Sequence, residues 1–433
     1  MAAADQQSAH PGELGGLPYL KLVLFAGVIG IPAALVAALF LALVHDLEHW
    51  LWTDLPDRLG HSAPPWYLVL GLPVIGAVVV LVARRALPGD GGHPPLEGIS
   101  GAPTPVAHAP GVALAALGTL AFGLVLGPEM PLIALGSAVG LALTPLMRLR
   151  SGSQEGQLLA GAGSFSAISA LFGGPIVGGV MMVEAGAAGL GARLIPALLP
   201  GFVAAALGYV VFVGFGDWGG LGTPGLSYPN LPAYDGTHVY DLLIAVAVGI
   251  AASVLLLVVR RLAERIVALQ LGLPGLLLGG ALAVGVLAEL ADLLGGDSQE
   301  VLFSGQSAIP ELIAEDSTRV VFVLLLTKAV AYAISLGCGF RGGPIFPAIF
   351  LGIDLAVLPV VWFDVSPTLA IAVGAAAGMA ATTRMLLTPM LFAALLVGLQ
   401  GIDAVPAAVL AASAAWLTMA AIDRRAEAAA EPA

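Results

Sequence analysis

Long apolar stretches separated by short polar ones dominate the chain. The first two occupy residues 19–44 and 66–82. Others follow at roughly 111–126, 130–147, 157–171, 175–190, 194–215, 239–259, 271–294, 319–337, 345–361, 367–380, 386–399 and 405–422. Several are shorter than the ~17–25 residues an upright bilayer span needs, and Gly or Pro interrupts their starts. Broken segments at membrane depth are tolerated where the backbone lines a cavity or is buried in protein. The pattern predicts an all-α polytopic membrane protein with many tilted and broken helices, of the transporter or channel kind.

Composition narrows this further. Of 433 residues, 59% are hydrophobic and 10% charged, against about 25% charged in a soluble domain. Soluble enzymes, nucleic-acid binders and disordered scaffolds are excluded. The 57 Gly and 31 Pro argue for broken helices and close backbone approach rather than straight rods. The net charge of −12 sits mostly in loops and says little about cargo. A lone cysteine, Cys338, excludes a disulfide within the chain, no metal constellation appears, and no cofactor is expected.

Residues 1–18 lack the basic stretch and apolar core of a cleaved signal, so the run from Tyr19 reads as a retained span. Lys21, Arg84–Arg85 and Arg424–Arg425 put both termini in the cytoplasm of a cell (inner) membrane protein. The expected layout is a tail at 1–18, a membrane domain at 19–422 and a tail at 423–433 with no regulatory domain. The membrane domain divides into halves at about 19–215 and 239–422.

An internal repeat underlies that division. Gly127-Pro-Glu-Met-Pro131 recurs half a chain later as Gly343-Pro-Ile-Phe-Pro347, and Pro175 in LFGGPIVGG has a counterpart at almost the same offset, Pro389 in MLLTPMLFA. Chance is the competing reading, since Gly and Pro are common here. In transporters built from repeats, paired Gly/Pro-interrupted segments mark the binding site near the midplane. Both G-P-x-x-P stretches open an apolar helix, and helix N-termini expose unpaired N–H groups with partial positive charge. Two such ends facing one cavity make an anion site without a fixed cation. The membrane runs hold few Lys or Arg, Lys328 being the main exception. A third helix end is expected at Gly98-Ile-Ser-Gly-Ala-Pro103, where Ser100 offers a hydroxyl and Gly101 shapes the turn; a plain capped loop is the alternative. Glu129, flanked by Pro128 and Pro131 in an apolar stretch, is expensive without a task. Dipole compensation at a first helical turn is its bland explanation. The functional one is that its carboxylate competes with a permeant anion for the same amides. Glu184, at the end of the 175–190 run, is either an interfacial charge or a functional carboxylate.

Four stretches, SGAP from Ser100, GPEMP from Gly127, LFGGPIVGGVMMVE from Leu171 and LLLTKAVAYAISLGCGFRGGPIFPAIFLG from Leu324, resemble in order and spacing the CLC chloride channel and transporter family. The resemblance runs from the first span to about Met419. It implies an inverted-repeat fold and a homodimer with one pore per subunit. It also implies a chloride path built from helix ends and a serine hydroxyl, gated by Glu129, with Ser100, Gly101, Met130, Ile345 and Phe346 around the anion. There are departures. Pro128 stands where the family has Arg, and Met130 where it has Gly. An ungapped match puts Pro344 and Ile345 on the family's Ile and Phe, removing one N–H donor, whereas a one-residue shift gives Phe346 the Phe position. The family's last helix and its tyrosine have no match. Of its Glu-Glu pair, Glu184 matches the first member and Ala185 the proton-relay second, leaving Glu184 as the candidate relay.

Gly98-Ile-Ser-Gly101 also fits the G-x-S-G of intramembrane serine proteases, but no histidine lies well inside a later apolar run to serve as base. A cation-coupled solute symporter would use more intramembrane carboxylates than Glu129. The expected function is passive chloride conduction through a pH-sensitive Glu129 gate, not enzymatic. Chloride/proton antiport by the same fold is the alternative, and the expected partners are a small anion, protons in that alternative, and the lipid bilayer.

Overall fold

The computed structural model of the chain describes residues 16–99, 102–150, 152–186, 194–219, 228, 231–234, 236–269 and 271–430. The described residues are almost entirely helical. Seven helices make the first half: α1 (Leu17–His49), α2 (Trp66–Ala86), α3 (Ala109–Leu120), α4 (Glu129–Leu143), α5 (Gln154–Leu171), α6 (Pro175–Gly186) and α7 (Leu194–Gly219). Seven more make the second: α8 (Val239–Val267), α9 (Leu273–Leu293), α10 (Thr318–Gly337), α11 (Ile345–Phe363), α12 (Pro367–Thr383), α13 (Leu387–Val397) and α14 (Val405–Ala430). The two sets pack alike. Helix α4 lies on α5 as α11 lies on α12, α5 on α7 as α12 on α14, and α1 on α7 as α8 on α14. The halves meet where α2 packs on α9.

Small residues permit this packing. A Cβ added to Gly136 of α4 would strike the carbonyl oxygen of Gly163, and one added to Gly352 of α11 would strike that of Gly374. Gly136 and Gly352 hold equivalent places after the two G-P-x-x-P stretches. Close backbone approach replaces the hydrophobic drive that lipid cannot supply.

The halves run in opposite directions. Helix α1 starts beside the end of α4, with Leu22 and Leu159 in a small core that Leu143 and Met147 join. Its other end, at Glu48, borders a cavity rich in carboxylates. Helix α4 therefore runs away from that acidic face. Helix α11 runs toward it, since Trp362 Nε1 donates to Thr318 Oγ1 at 3.0 Å where α10 begins. At the far ends of α2 and α10, Arg84 Nη1 donates to the carbonyl of Gly339 at 2.8 Å, which defines an opposite, arginine-bearing face. The 21 residues of α2 span about 31 Å at 1.5 Å each, one hydrocarbon thickness. Among the described residues, eight helical segments are long and apolar enough to cross a membrane.

Two expectations change. The apolar run 111–126 is helical only to Leu120, and Ala121–Leu126 crosses the interior as irregular backbone. Its polar groups find distant partners: Ala121 O accepts from Trp52 Nε1 at 3.0 Å, Val125 N donates to Ser335 Oγ at 3.0 Å, and Gly123 O accepts from Phe303 N at 3.3 Å. Buried in protein, such backbone is stable at membrane depth. Nor do the described residues of the segment 98–103 open a third helix; Ser100 and Gly101 lie outside the description. Ile99 and Ala102–Pro105 are irregular, and the first helical turn there is Val106–His108.

Candidate functional site

The two G-P-x-x-P segments meet. Gly127 N donates to Gly343 O at 2.8 Å and Gly343 N to Gly127 O at 2.6 Å, an isolated antiparallel bridge between the halves. The bridge makes Glu129 the counterpart of Ile345 in the other half. Each residue is the first of its helix, with Pro128 and Pro344 as N-caps. A side-chain Cβ at either glycine would run into the Glu129 carboxylate, so the glycine pair is its cradle.

Glu129 is fully buried, and its Oε1 accepts the Ile345 N–H at 2.5 Å, with the Phe346 amide beside it. The carboxylate of one half thus occupies the N-terminus of the other half's helix, where unpaired amides and the helix dipole favour an anion. Its Oε2 is buried and has no hydrogen-bond partner among the described residues. An acceptor left unpaired at that depth costs roughly 1–3 kcal/mol, so the docked carboxylate is held incompletely.

Cavities approach Glu129 from both faces. From the acidic face, one of about 330 Å³ is lined by Glu48, Tyr228, Leu126 and Pro128. From the arginine face, one of about 60 Å³ is bordered by Gly98, Arg260, Tyr332, Pro344 and Arg384. A second, of about 200 Å³, reaches Met130, Pro131 and Gly342. Sequence reasoning passed over Tyr332. It is fully buried and its hydroxyl donates to Pro344 O at 2.6 Å, beside the bridge; its position inside the run 319–337 was the only hint.

The remaining candidates fall in different places. Ser100 and Gly101 lie outside the described residues. Met130 is buried and borders the larger of the two arginine-face cavities. The Phe346 ring stacks on Phe172 at 5.4 Å and meets Phe392 edge-on at 6.4 Å, so its side chain ties the start of α11 to the turn after α5 and the middle of α13. Glu184 is far from a free carboxylate. Its Oε1 accepts from Leu386 N at 2.8 Å and Leu387 N at 2.9 Å, and its Oε2 from Thr388 N at 2.7 Å and Thr388 Oγ1 at 2.6 Å. It caps α13. Lys328 does not face an anion path either: its Nζ donates to the carbonyls of Glu300 at 2.6 Å, Val301 at 3.3 Å and Leu302 at 3.0 Å, and lies 4.3 Å from the Phe350 ring centre. Near it on α11 is Asp354, fully buried with both carboxylate oxygens unpartnered among the described residues. Glu129 therefore has carboxylate company in the membrane that the sequence reading missed, although an Asp inside the apolar run 345–361 was a visible signal.

Charge at the two mouths differs. Glu48, Asp57, Glu289, Asp292, Asp297, Glu300 and Glu311 border a cavity of about 730 Å³ on the acidic face. Burial, with the neighbouring Asp297 charge adding to it, pushes Glu300 up to about 7. On the other face burial raises the Asp90 carboxyl, but hydrogen bonds and charge from Arg84 and Arg341 outweigh it and hold the group below its ordinary value. Among the described residues no three His, Cys, Asp or Glu side chains gather in a way that suits a metal ion.

Comparisons with known proteins agree with this geometry. Residues 95–418 match the family profile described as voltage gated chloride channel. A relative from Escherichia coli (strain SMS-3-5 / SECEC), named as the ion-transport protein YfeO, is 30% identical over 348 residues, covering 78% of this chain and 79% of the relative. Its counterpart in Escherichia coli O139:H28 is 31% identical over 349 residues, with the same coverage. Among solved structures, a slow cyanobacterial Cl−/H+ antiporter superposes with a TM-score of 0.77 at 16% identity, covering 96% of each chain. A CLC-type fluoride/proton antiporter gives 0.71 at 22% identity, covering 93% of this chain and 96% of the other.

Proposed function

The chain belongs to the voltage-gated chloride channel (CLC) family of anion-transport membrane proteins, and from that premise we propose that it conducts chloride passively across a membrane through a path gated by Glu129. One observation carries the reading: the Glu129 carboxylate sits on the first amide of α11, buried between cavities that approach from opposite faces. A carboxylate on a helix N-terminus occupies the place an anion would take. Releasing it frees the Ile345 amide for chloride, and protonation, by removing the charge, promotes release. Met130 and Phe346 frame the same helix starts and Tyr332 narrows the path from the arginine face, and the anion-binding role expected of Ser100 and Gly101 belongs to the same reading.

Passive conduction is favoured by the engagement of Glu184. All its hydrogen bonds cap α13, so a proton landing on it would displace a backbone or hydroxyl donor. Proton-coupled exchange is the second reading, supported by the fold shared with two proteins described as antiporters. We place the arginine face, both termini and the short tails at 1–18 and 423–433 in the cytoplasm of the inner membrane, and take the assembly to be a homodimer of subunits that each hold one path. The test is chloride efflux from proteoliposomes with proton movement recorded simultaneously. Chloride flux without stoichiometric proton flux supports the passive reading, a fixed ratio supports exchange, and no anion flux refutes both.

A further inference from the structure

Two cavities lie in series on the acidic face. The outer, of about 730 Å³, carries the carboxylates of Asp57, Glu289, Asp292, Asp297, Glu300 and Glu311. The inner, of about 330 Å³, reaches Leu126 and Pro128 at the start of α4. Among the described residues, Glu48, Phe303 and Ser307 line both, and of these Glu48 alone has a titratable side chain. Neither lining includes a Lys or Arg. Negative charge gathered in this way concentrates protons at the outer mouth, and Glu300, held up to about 7, stores them near neutral pH.

The partition between the cavities is enforced by its surroundings. Phe303 has φ of 61°, a left-handed conformation that costs a residue other than glycine free energy and persists only where the fold imposes it. Its N–H donates to Gly123 O at 3.3 Å, and its ring meets Trp52 edge-on at 5.2 Å. Just past Glu48, α1 gives way to a π-helical turn at Trp50–Asp54, a distortion frequent at functional sites. On the same helix His45, one turn back, shares the inner cavity, Asp46 is exposed, and His49 faces Asp54 at 3.4 Å. Across the inner cavity the titratable group is Tyr228.

The inner cavity ends at the gate. Leu126 and Pro128 flank Gly127, and a Cβ on Gly127 would fall on Glu129 Oε2, the oxygen with no hydrogen-bond partner among the described residues. Glu129 is fully buried, so a proton from the acidic face has to be carried to it. At about 30 Å³ per water, the inner cavity has room for a short chain of waters. We propose that Glu48 relays protons from the acidic mouth to Glu129. In each transfer the O–H bond of protonated Glu48 breaks, the waters each pass on one proton, and an O–H bond forms on Glu129 Oε2. The Glu48 carboxylate then takes up a proton from the outer cavity. This deepens the gating reading and rests on it: Glu129 sets the pH at which the path opens, and Glu48 sets how fast the gate follows a change of pH.

The experiment follows chloride efflux from proteoliposomes that hold the full-length protein in one orientation, after a rapid pH drop on one face. Wild-type efflux should relax quickly to its acid rate. In Glu48→Gln, relaxation after a drop on the acidic face should slow at least about tenfold, the low end of what a positioned acid–base group contributes. Glu48→Asp, shorter but titratable, should fall between the two. Relaxation after a drop on the arginine face, which bypasses Glu48, should keep its wild-type rate in both variants. A shifted steady-state pH midpoint with an unchanged relaxation rate would make Glu48 a mere neighbouring charge, and equal slowing from both faces would make it structural; either result overturns the proposal. If Glu48→Gln does not fold, one-sided slowing in Glu48→Asp decides alone. Wild-type efflux that ignores pH on both faces refutes the Glu129 gate and the relay with it, whereas a responsive wild type matched by Glu48→Gln refutes the relay only.

Discussion

Replacing Glu184 with glutamine should destabilise the protein and leave its ion fluxes as they were. The wild-type carboxylate accepts four hydrogen bonds of 2.6–2.9 Å from residues 386–388. Glutamine keeps the shape but turns one acceptor oxygen into an NH2 facing donors, so two of those bonds fail. Hydrogen bonds to a charged group contribute about 1.5–3 kcal/mol each, giving about 3–6 kcal/mol for the pair. Glu184 is only partly buried, and water can replace some of the loss, which brings the expectation to about 2–4 kcal/mol. The assay is thermal denaturation of purified wild type and Glu184→Gln in one detergent, paired with anion and proton flux in liposomes. A lowered melting temperature with unchanged fluxes is expected. An unchanged melting temperature with abolished proton movement would refute the capping argument and make Glu184 a proton relay.

Other variants probe the rest of the frame. Gly352→Val should prevent α11 from closing on α12, because its Cβ would collide with backbone at Gly374 and Gly378; overpacking of this kind costs about 1–3 kcal/mol or more, read as lost thermal stability. Lys328→Met strips three buried carbonyls of their donor and removes the cation nearest Asp354, a loss of several kcal/mol at about 1–3 kcal/mol per unsatisfied buried group. Adding Asp354→Asn should recover the part of the loss that comes from the Lys328 charge acting on Asp354, so the double mutant should be more stable than additivity predicts, whereas simple additivity would show the two groups to be uncoupled. Glu300 is held up to about 7 from an ordinary 4.5. A raised carboxyl contributes stability that is complete below the ordinary value and lost as pH rises through the raised one. Melting temperature should therefore fall between roughly pH 4.5 and 7 in wild type, and this part of the slope should vanish in Glu300→Gln.

Much of the architecture was legible because the bilayer demands long apolar runs and because Gly and Pro punctuate both halves at one spacing. The G-P-x-x-P pair located the glycine bridge, and Glu129 stood out as a carboxylate with no solvent to explain it. What stayed hidden depends on partners distant in sequence. Residues 121–126 are as apolar as a helix, and they depart from one only because Trp52, Ser335 and Phe303 satisfy their backbone from elsewhere in the chain. Pro103 resembles a helix opener, but Thr104 and Pro105 after it are still irregular. Lys328 stood out only as a rare intramembrane cation, because the carbonyls that hold it belong to residues 300–302, at a separate short helix. Tyr332 and Arg341 gain their positions from a fold that brings residues 84–92 and 119 against 339–341.

The most direct test of the gate is chloride efflux from Glu129→Gln proteoliposomes across external pH 4.5–7.5. A neutral amide exchanges a charge-assisted hydrogen bond to Ile345 for an ordinary one, weakening the dock by about 1–1.5 kcal/mol, or roughly a factor of ten in the closed-to-open ratio. Wild-type efflux should rise as pH falls, and Glu129→Gln should be fast and independent of pH. Wild-type rates with a wild-type pH profile in Glu129→Gln would contradict the assignment of Glu129 as the gate.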